Sequence, residues 1–162
     1  MRNLPVRLLG ILLALHLSVG HAQPAGAPDD AIGAWHFDDP LLYYDGDMDT
    51  DGNVLYVICE AGRLRASVLV NGADRHDGQR VRVTFASNGA RVSSRGALAP
   101  SDLDMYAVAE ITDRARFYRL FDDDRKLRID VEGEGGPLRL PLRGARDQAA
   151  RLKAACAVRR GR

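Results

Sequence analysis

Residues 54–59 read VLYVIC, residues 63–70 read RLRASVLV and residues 80–85 read RVRVTF. The last two alternate: Leu64, Ala66, Val68 and Val70 stand against Arg63, Arg65 and Ser67, and Val81, Val83 and Phe85 against Arg80, Arg82 and Thr84. A side-chain period of two belongs to a strand with one face in a core and the other toward water. The first stretch is a short continuous apolar run, the pattern expected of a strand buried on both faces. Ser87-Asn88-Gly89 predicts a hairpin turn into a strand at Arg91–Ser94, and the polar run Asn71–Gly78 predicts a loop.

Further along, Met105–Glu110 reads as an apolar strand and Leu127, Ile129 and Val131 as a period-2 strand. Leu138, Leu140 and Leu142 form another, with Pro141 pointing to an edge position. Asp113 is placed to cap a short helix from Arg114 to Leu120, with Ala115, Tyr118 and Phe121 inward. An Ala-rich helix is expected over Asp147–Ala157, with Leu152 and Cys156 on its inner stripe. On the N-terminal side, Trp35 in Ala34-Trp35-His36-Phe37 is the expected core anchor. Asp38–Asn53 reads as a turn-rich loop interrupted by Leu41-Leu42-Tyr43-Tyr44. The expected fold is mainly β (α+β): an antiparallel sheet or small β-sandwich with one short internal helix and a C-terminal helix.

The first 22 residues carry Arg2 and Arg7, an apolar run from Leu8 to Val19, and Gly20-His21-Ala22. That order predicts a secretory signal cleaved before Gln23. The run is too short to span a bilayer, so no membrane span is expected. A flexible lead-in (23–34), one β-rich domain (35–157) and a basic tail (158–162) complete the expected organisation. Export to an oxidising, periplasmic or secreted location gives the only two cysteines, Cys59 and Cys156, reason to pair. The bridge would pin the last helix to an early strand. The rival reading is two free thiols, and no C-x-x-C spacing favours redox chemistry.

Net charge is +1, which gives no overall field toward nucleic acid or an anionic membrane. The distribution is uneven. Gln23–Gly62 holds nine acids and no Lys or Arg, whereas Arg63–Arg162 holds 21 basic residues against 13 acids. Outward positions of four strands supply Arg63, Arg65, Arg80, Arg82, Arg128 and Arg139. If those strands share a sheet they make a basic face, either a solvated one laced with Asp130 and Glu132 or a surface for an envelope protein or anionic envelope polymer.

Asp47-Met48-Asp49-Thr50-Asp51-Gly52 matches the first half of a calcium loop, in which oxygens at alternate positions converge on a hard cation. The position that should supply a bidentate Glu is Ile58, and the loop runs straight into a strand, which excludes an EF-hand. Two readings stay open: a calcium loop on a β scaffold completed by Asp45, with Asp47, Asp49 and Asp51 as ligands, or a solvated acidic turn. Catalytic signatures are sparse. His36 and His76 have no second histidine at metal-ligand spacing, and no serine lies in a G-x-S-x-G context. A hydrolase built on a carboxylate pair such as Asp102 with Asp104 is the third function class.

Several features occur together in order: the early Trp35, Thr50-Asp51-Gly52, the strand closing on Cys59, the Val-x-Val-x-Phe strand at Val81–Phe85, Leu138–Ala145, and the helix ending Leu152-Lys153-Ala154-Ala155-Cys156. This layout resembles the small periplasmic proteins associated with type VI secretion (the TagO/VasI type). It is also similar to the invasion-associated locus B type of secreted bacterial protein. The resemblance implies a non-enzymatic envelope protein with a Cys59–Cys156 disulfide. The dense acidic loop and the high arginine content depart from that pattern.

Overall fold

The computed structural model describes residues 33–46, 53–71, 75–87, 89–101, 104–122 and 125–158. The expected leader, most of the lead-in, Asp47, Asp49, Asp51, Asp102 and the end of the basic tail lie outside the described residues. The elements are β1 (Ala34–Asp38), β2 (Leu41–Asp45), β3 (Asn53–Glu60), β4 (Arg63–Val70), β5 (Arg80–Ser87), β6 (Ala90–Ser101), β7 (Asp104–Glu110), α1 (Arg114–Arg119), β8 (Lys126–Val131), β9 (Leu138–Pro141) and α2 (Ala145–Val158). The strands form one antiparallel sheet in the order β1-β2-β3-β4-β7-β6-β5-β8-β9. The fold is therefore mainly β, with a single sheet rather than a two-sheet sandwich.

Local chemistry accounts for most of the connections. Ala61 and Gly62 both have positive φ (45° and 72°), the backbone that a two-residue turn between right-twisted strands requires. Gly89, at φ 71°, turns β5 into β6 with Ser87 opposite Ala90. The long loop after β4 skips two strand positions, so β7 returns to pair with β4, Ala66 meeting Ala109. Arg75, in that loop, is tied to the turn after β8 by an ion pair to Glu134 (2.9 Å) and contacts to the Glu132 carbonyl. Gly96 lies against β7 so closely that a Cβ there would sit 2.2 Å from the Val108 carbonyl oxygen. A side chain at this position would push the two strands apart, and glycine there permits a tight bend in the sheet.

The sheet curls until its two edges approach. Trp35 on β1 donates its indole N–H to the Pro141 carbonyl on β9 at 2.7 Å. Inside the curl, aromatic edges run in sequence from Phe85 to Phe117 (5.4 Å), Phe117 to Phe121 (5.4 Å), Phe121 to Trp35 (5.4 Å) and Trp35 to Tyr44 (5.2 Å). Tilted and edge-on contacts of this kind add to the burial of the rings. α1 begins as its cap predicts, with Asp113 accepting the Arg116 N–H at 3.0 Å. It buries Phe117 rather than Ala115, and Leu120 and Phe121 follow Phe117 into the core. Ala115 is exposed and Tyr118 only half-buried, because the turn that docks into the curl is centred one residue earlier than expected.

α2 packs its Ala145, Ala149, Leu152 and Cys156 stripe on the first three strands. Cys156 is disulfide-bonded to Cys59 with a Cα–Cα distance of 5.5 Å across 97 positions of sequence. Arg114 donates to the Gly62 carbonyl and contacts the Cys156 sulfur at 3.5 Å, joining α1, α2 and the β3–β4 turn.

Three further local expectations change. Leu41–Tyr44 is a strand, paired with β1 through His36–Tyr43 and Trp35–Tyr44, not an interruption in a loop. VLYVIC is not buried on both faces: Leu55, Val57 and Cys59 are buried, while Val54, Tyr56 and Ile58 lie half-exposed on the outer face. β6 runs on to Ser101, well past Ser94, because β7 offers it a second ladder, Gly96–Ala109 to Ser101–Asp104.

Candidate functional site: the basic flank of the sheet

Inner positions of every strand are filled by the core, so chemistry on this sheet belongs to its outer face. The registers divide that face in two. On β6, β5, β8 and β9 the outward side chains include Arg91, Arg95, Arg80, Arg82, Lys126, Arg128 and Arg139, with Asp130 and the adjoining Glu132 as the acids. Seven cations face two carboxylates. On β1, β2, β3, β4 and β7 the outward set holds Asp38, Asp45, Glu60, Asp104 and Glu110 against Arg63 and Arg65.

Register separates the six predicted arginines. Arg63 stands opposite Glu60, and Arg65 pairs with Glu60 at 3.1 Å and lies opposite Glu110. Both thus stand among acids, with β7 and β6 between them and β5. Arg80, Arg82, Arg128 and Arg139 do share one flank. There Arg82 lies directly opposite Arg95, and Arg128 directly opposite Arg139. Sequence reading missed Arg91 and Arg95. The signal for both was available in the alternation of Arg91, Ser93 and Arg95 after the hairpin turn.

The acids on this flank do little to neutralise the first arginine pair. The Glu132 carboxylate accepts the backbone N–H of Arg82 at 3.1 Å, while Glu132 N–H donates to the Arg82 carbonyl at 2.9 Å. Asp130 accepts two hydrogen bonds from Arg128, both 2.9 Å. Those bonds, assisted by the charges of Arg128, Arg91 and Arg139, outweigh the opposing effect of burial and hold its carboxyl below the ordinary range. Between the arginine rows, Thr84 and Ser93 face each other with their hydroxyls 2.9 Å apart. Two clefts border the flank. One of about 290 Å³ is lined by Arg80, Val81, Arg82, Arg95 and Glu132, and one of about 550 Å³ by Gly89, Ala90, Arg91, Arg116, Arg119 and Asp122.

The opposite flank carries an aromatic row. His36 and Tyr43 stack at 5.0 Å, Tyr43 approaches Tyr56 at 6.4 Å, and Tyr56 approaches Tyr106 at 5.7 Å across β4. Burial first, then the charges of Tyr56 and Asp104 and a hydrogen bond with Tyr56, push the Tyr106 phenol up to about 12. Asp45, the predicted accessory calcium ligand, is engaged here. Its Oδ1 accepts the Ala34 N–H at 2.5 Å and its Oδ2 pairs with His36 Nε2 at 2.8 Å. Burial raises its carboxyl, but these bonds and the imidazole charge outweigh that and lower it. Asp45 thus ties β2 to β1. Among the described residues no group of three or more His, Cys, Asp or Glu converges as a metal site, and no helix is long and apolar enough to cross a membrane.

The chain matches no family model, no curated protein and no solved structure. Fold and flank define its class: a disulfide-pinned, curled antiparallel sheet presenting concentrated positive charge on one side.

Proposed function

We propose that this is an exported, non-enzymatic envelope protein that captures an anionic partner on the basic flank of its sheet, as an accessory to an envelope or secretion assembly. The observation that carries this reading is the pair of directly opposed arginines, Arg82–Arg95 and Arg128–Arg139. Like charges opposite one another destabilise a ladder by roughly 0.2–1 kcal/mol. A sequence that keeps Arg82 opposite Arg95, on the same flank as Arg139 and an Arg128 already offset by Asp130, gives up stability for a function. Export is supported by the n-region, apolar run and small-residue order of the first 22 residues and by the Cys59–Cys156 bridge.

Arginine suits the role because its guanidinium stays charged and meets carboxylate or phosphate in two parallel hydrogen bonds. The test is capture of anionic polymer and protein from an envelope extract by immobilised wild type and by R82Q/R95Q/R128Q/R139Q. Loss of one identified anionic species with the variant supports the reading, and identical capture by both proteins removes it.

A further inference from the structure

The basic flank is not a uniform positive surface. Along β5 and β6 the outward rows run from Arg80, through Arg82 with Arg95, through Thr84 with Ser93 and the neighbouring Asp130, to Arg91 and Arg128, which flank Ala86 from β6 and β8. The first cluster opens into the cleft of about 290 Å³, which Glu132 also lines, and Arg91 of the second into the cleft of about 550 Å³, where Arg116 and Arg119 of α1 outnumber Asp122. Arg82 and Ala86, the β5 positions level with the two clusters, are four residues apart, so the clusters lie about 14 Å apart along the strands. The ground between them is hydroxyl-bearing and holds a carboxylate.

Resting on the reading that this flank binds an anionic partner, we propose that the partner is an acidic polysaccharide lying lengthwise along β5 and β6, with acidic groups in the two arginine clefts and neutral, hydroxyl-bearing sugar between them. The chemistry of the middle row carries the assignment. A polymer charged at every unit, such as polyphosphate or a nucleic-acid strand, would set negative charge over the Asp130 carboxylate. A sugar with free hydroxyls instead exchanges hydrogen bonds with the exposed Ser93 and leaves the Asp130–Arg128 pair intact. Both Asp130 oxygens accept from Arg128 at 2.9 Å, so the middle row offers no unpaired cation to a dense polyanion, while the exposed Ser93 hydroxyl remains open to a sugar. Two clefts on one rigid ladder also make binding bivalent: once one acidic group is seated, the second binds as an intramolecular event.

The test uses the folded protein with hyaluronan oligosaccharides, which carry a carboxylate on alternate sugars, and with long-chain polyphosphate, which is charged on every unit. A hyaluronan decasaccharide is expected to bind at least ~10-fold tighter than the disaccharide. R82Q/R95Q, and separately Arg91→Gln, should each abolish most of that length dependence. Asp130→Asn, which releases Arg128 from its carboxylate, should strengthen polyphosphate more than hyaluronan, a shift in preference that mere loss of fold does not produce. Polyphosphate binding tighter than hyaluronan to wild type would leave the flank as an anion surface and overturn the polysaccharide assignment. Equal affinity for disaccharide and decasaccharide would overturn the lengthwise arrangement. Failure of both polymers to bind at low salt would overturn the reading of the flank itself.

Discussion

Arg82 and Arg95 face each other directly across the β5–β6 ladder, with the one carboxylate beside them, that of Glu132, hydrogen-bonded to the Arg82 backbone N–H. Two positive charges are therefore held at neighbouring positions by strand register, on a protein whose net charge is only +1.

Removing one of them should stabilise the free protein. Arg95→Gln is expected to raise stability by roughly 0.5 kcal/mol at low ionic strength, with the gain shrinking in high salt as the repulsion is screened. Urea unfolding at two salt concentrations measures this directly. A loss of stability at low salt would mean that the pair is not repulsive in the folded state.

The β3–β4 turn contains a second local conflict. Ala61 has φ 45°, a conformation that costs an L-residue roughly 1 kcal/mol and glycine almost nothing. Ala61→Gly trades that strain against the extra freedom it gives the unfolded chain, and a net gain of up to ~1 kcal/mol is expected, read from the denaturation midpoint. Ala61→Val, β-branched at the same φ, should be destabilising.

The Cys59–Cys156 bridge closes 97 positions of sequence. On the loop-entropy account such a closure contributes up to ~4–5 kcal/mol, and breaking it frees α2 from the strand it packs against. The Cys59→Ser/Cys156→Ser double variant should unfold at a markedly lower urea midpoint than wild type, and reduced wild type should match it. Equal midpoints for the oxidised and reduced protein would remove the bridge from the account of stability.

High pH probes the aromatic flank. The Tyr106 phenol is raised to about 12, so the folded chain holds its proton more tightly than the unfolded chain does. Stability from this group is present below about pH 10, the ordinary tyrosine value, and is lost as pH rises toward 12. Tyr106→Phe should flatten the alkaline decline in the melting temperature between pH 10 and 11.5. An unchanged slope would show that the decline comes from other groups.

Low pH tests the carboxylates. Asp45 and Asp130 are both held below the ordinary aspartate range, so the stability they add is present above it and fades as pH falls through it. Asp45→Asn, which breaks the link between β1 and β2, should reduce stability at pH 7 and lessen the loss between pH 5 and 2.

How much was legible in the sequence follows from which interactions are local. Strands with period-2 alternation, such as Arg63–Val70 and Lys126–Val131, were readable because each residue's face depends only on its neighbours in sequence. The Asp113 cap was readable for the same reason. Pairing partners were not. Arg63-Leu64-Arg65 and Arg80-Val81-Arg82 are the same local pattern, yet Arg65 meets Glu110 and Arg82 meets Arg95. Their different fates come from the return of β7 to β4, a non-sequential pairing that no residue near either arginine encodes. Tyr56 was hidden in another way. Its place in a continuous apolar run concealed an outward position, and with it the aromatic row shared with Tyr43 and Tyr106.

The most direct measurement compares two arginine pairs of the same local pattern. Affinity for an immobilised acidic polysaccharide would be measured against salt concentration for wild type, R82Q/R95Q and R63Q/R65Q. The account predicts that R82Q/R95Q binds at least ~10-fold more weakly with a shallower salt dependence, while R63Q/R65Q, whose arginines lie on the acidic flank opposite Glu60 and Glu110, matches wild type. Equal losses in the two variants, or no loss in either, would contradict it.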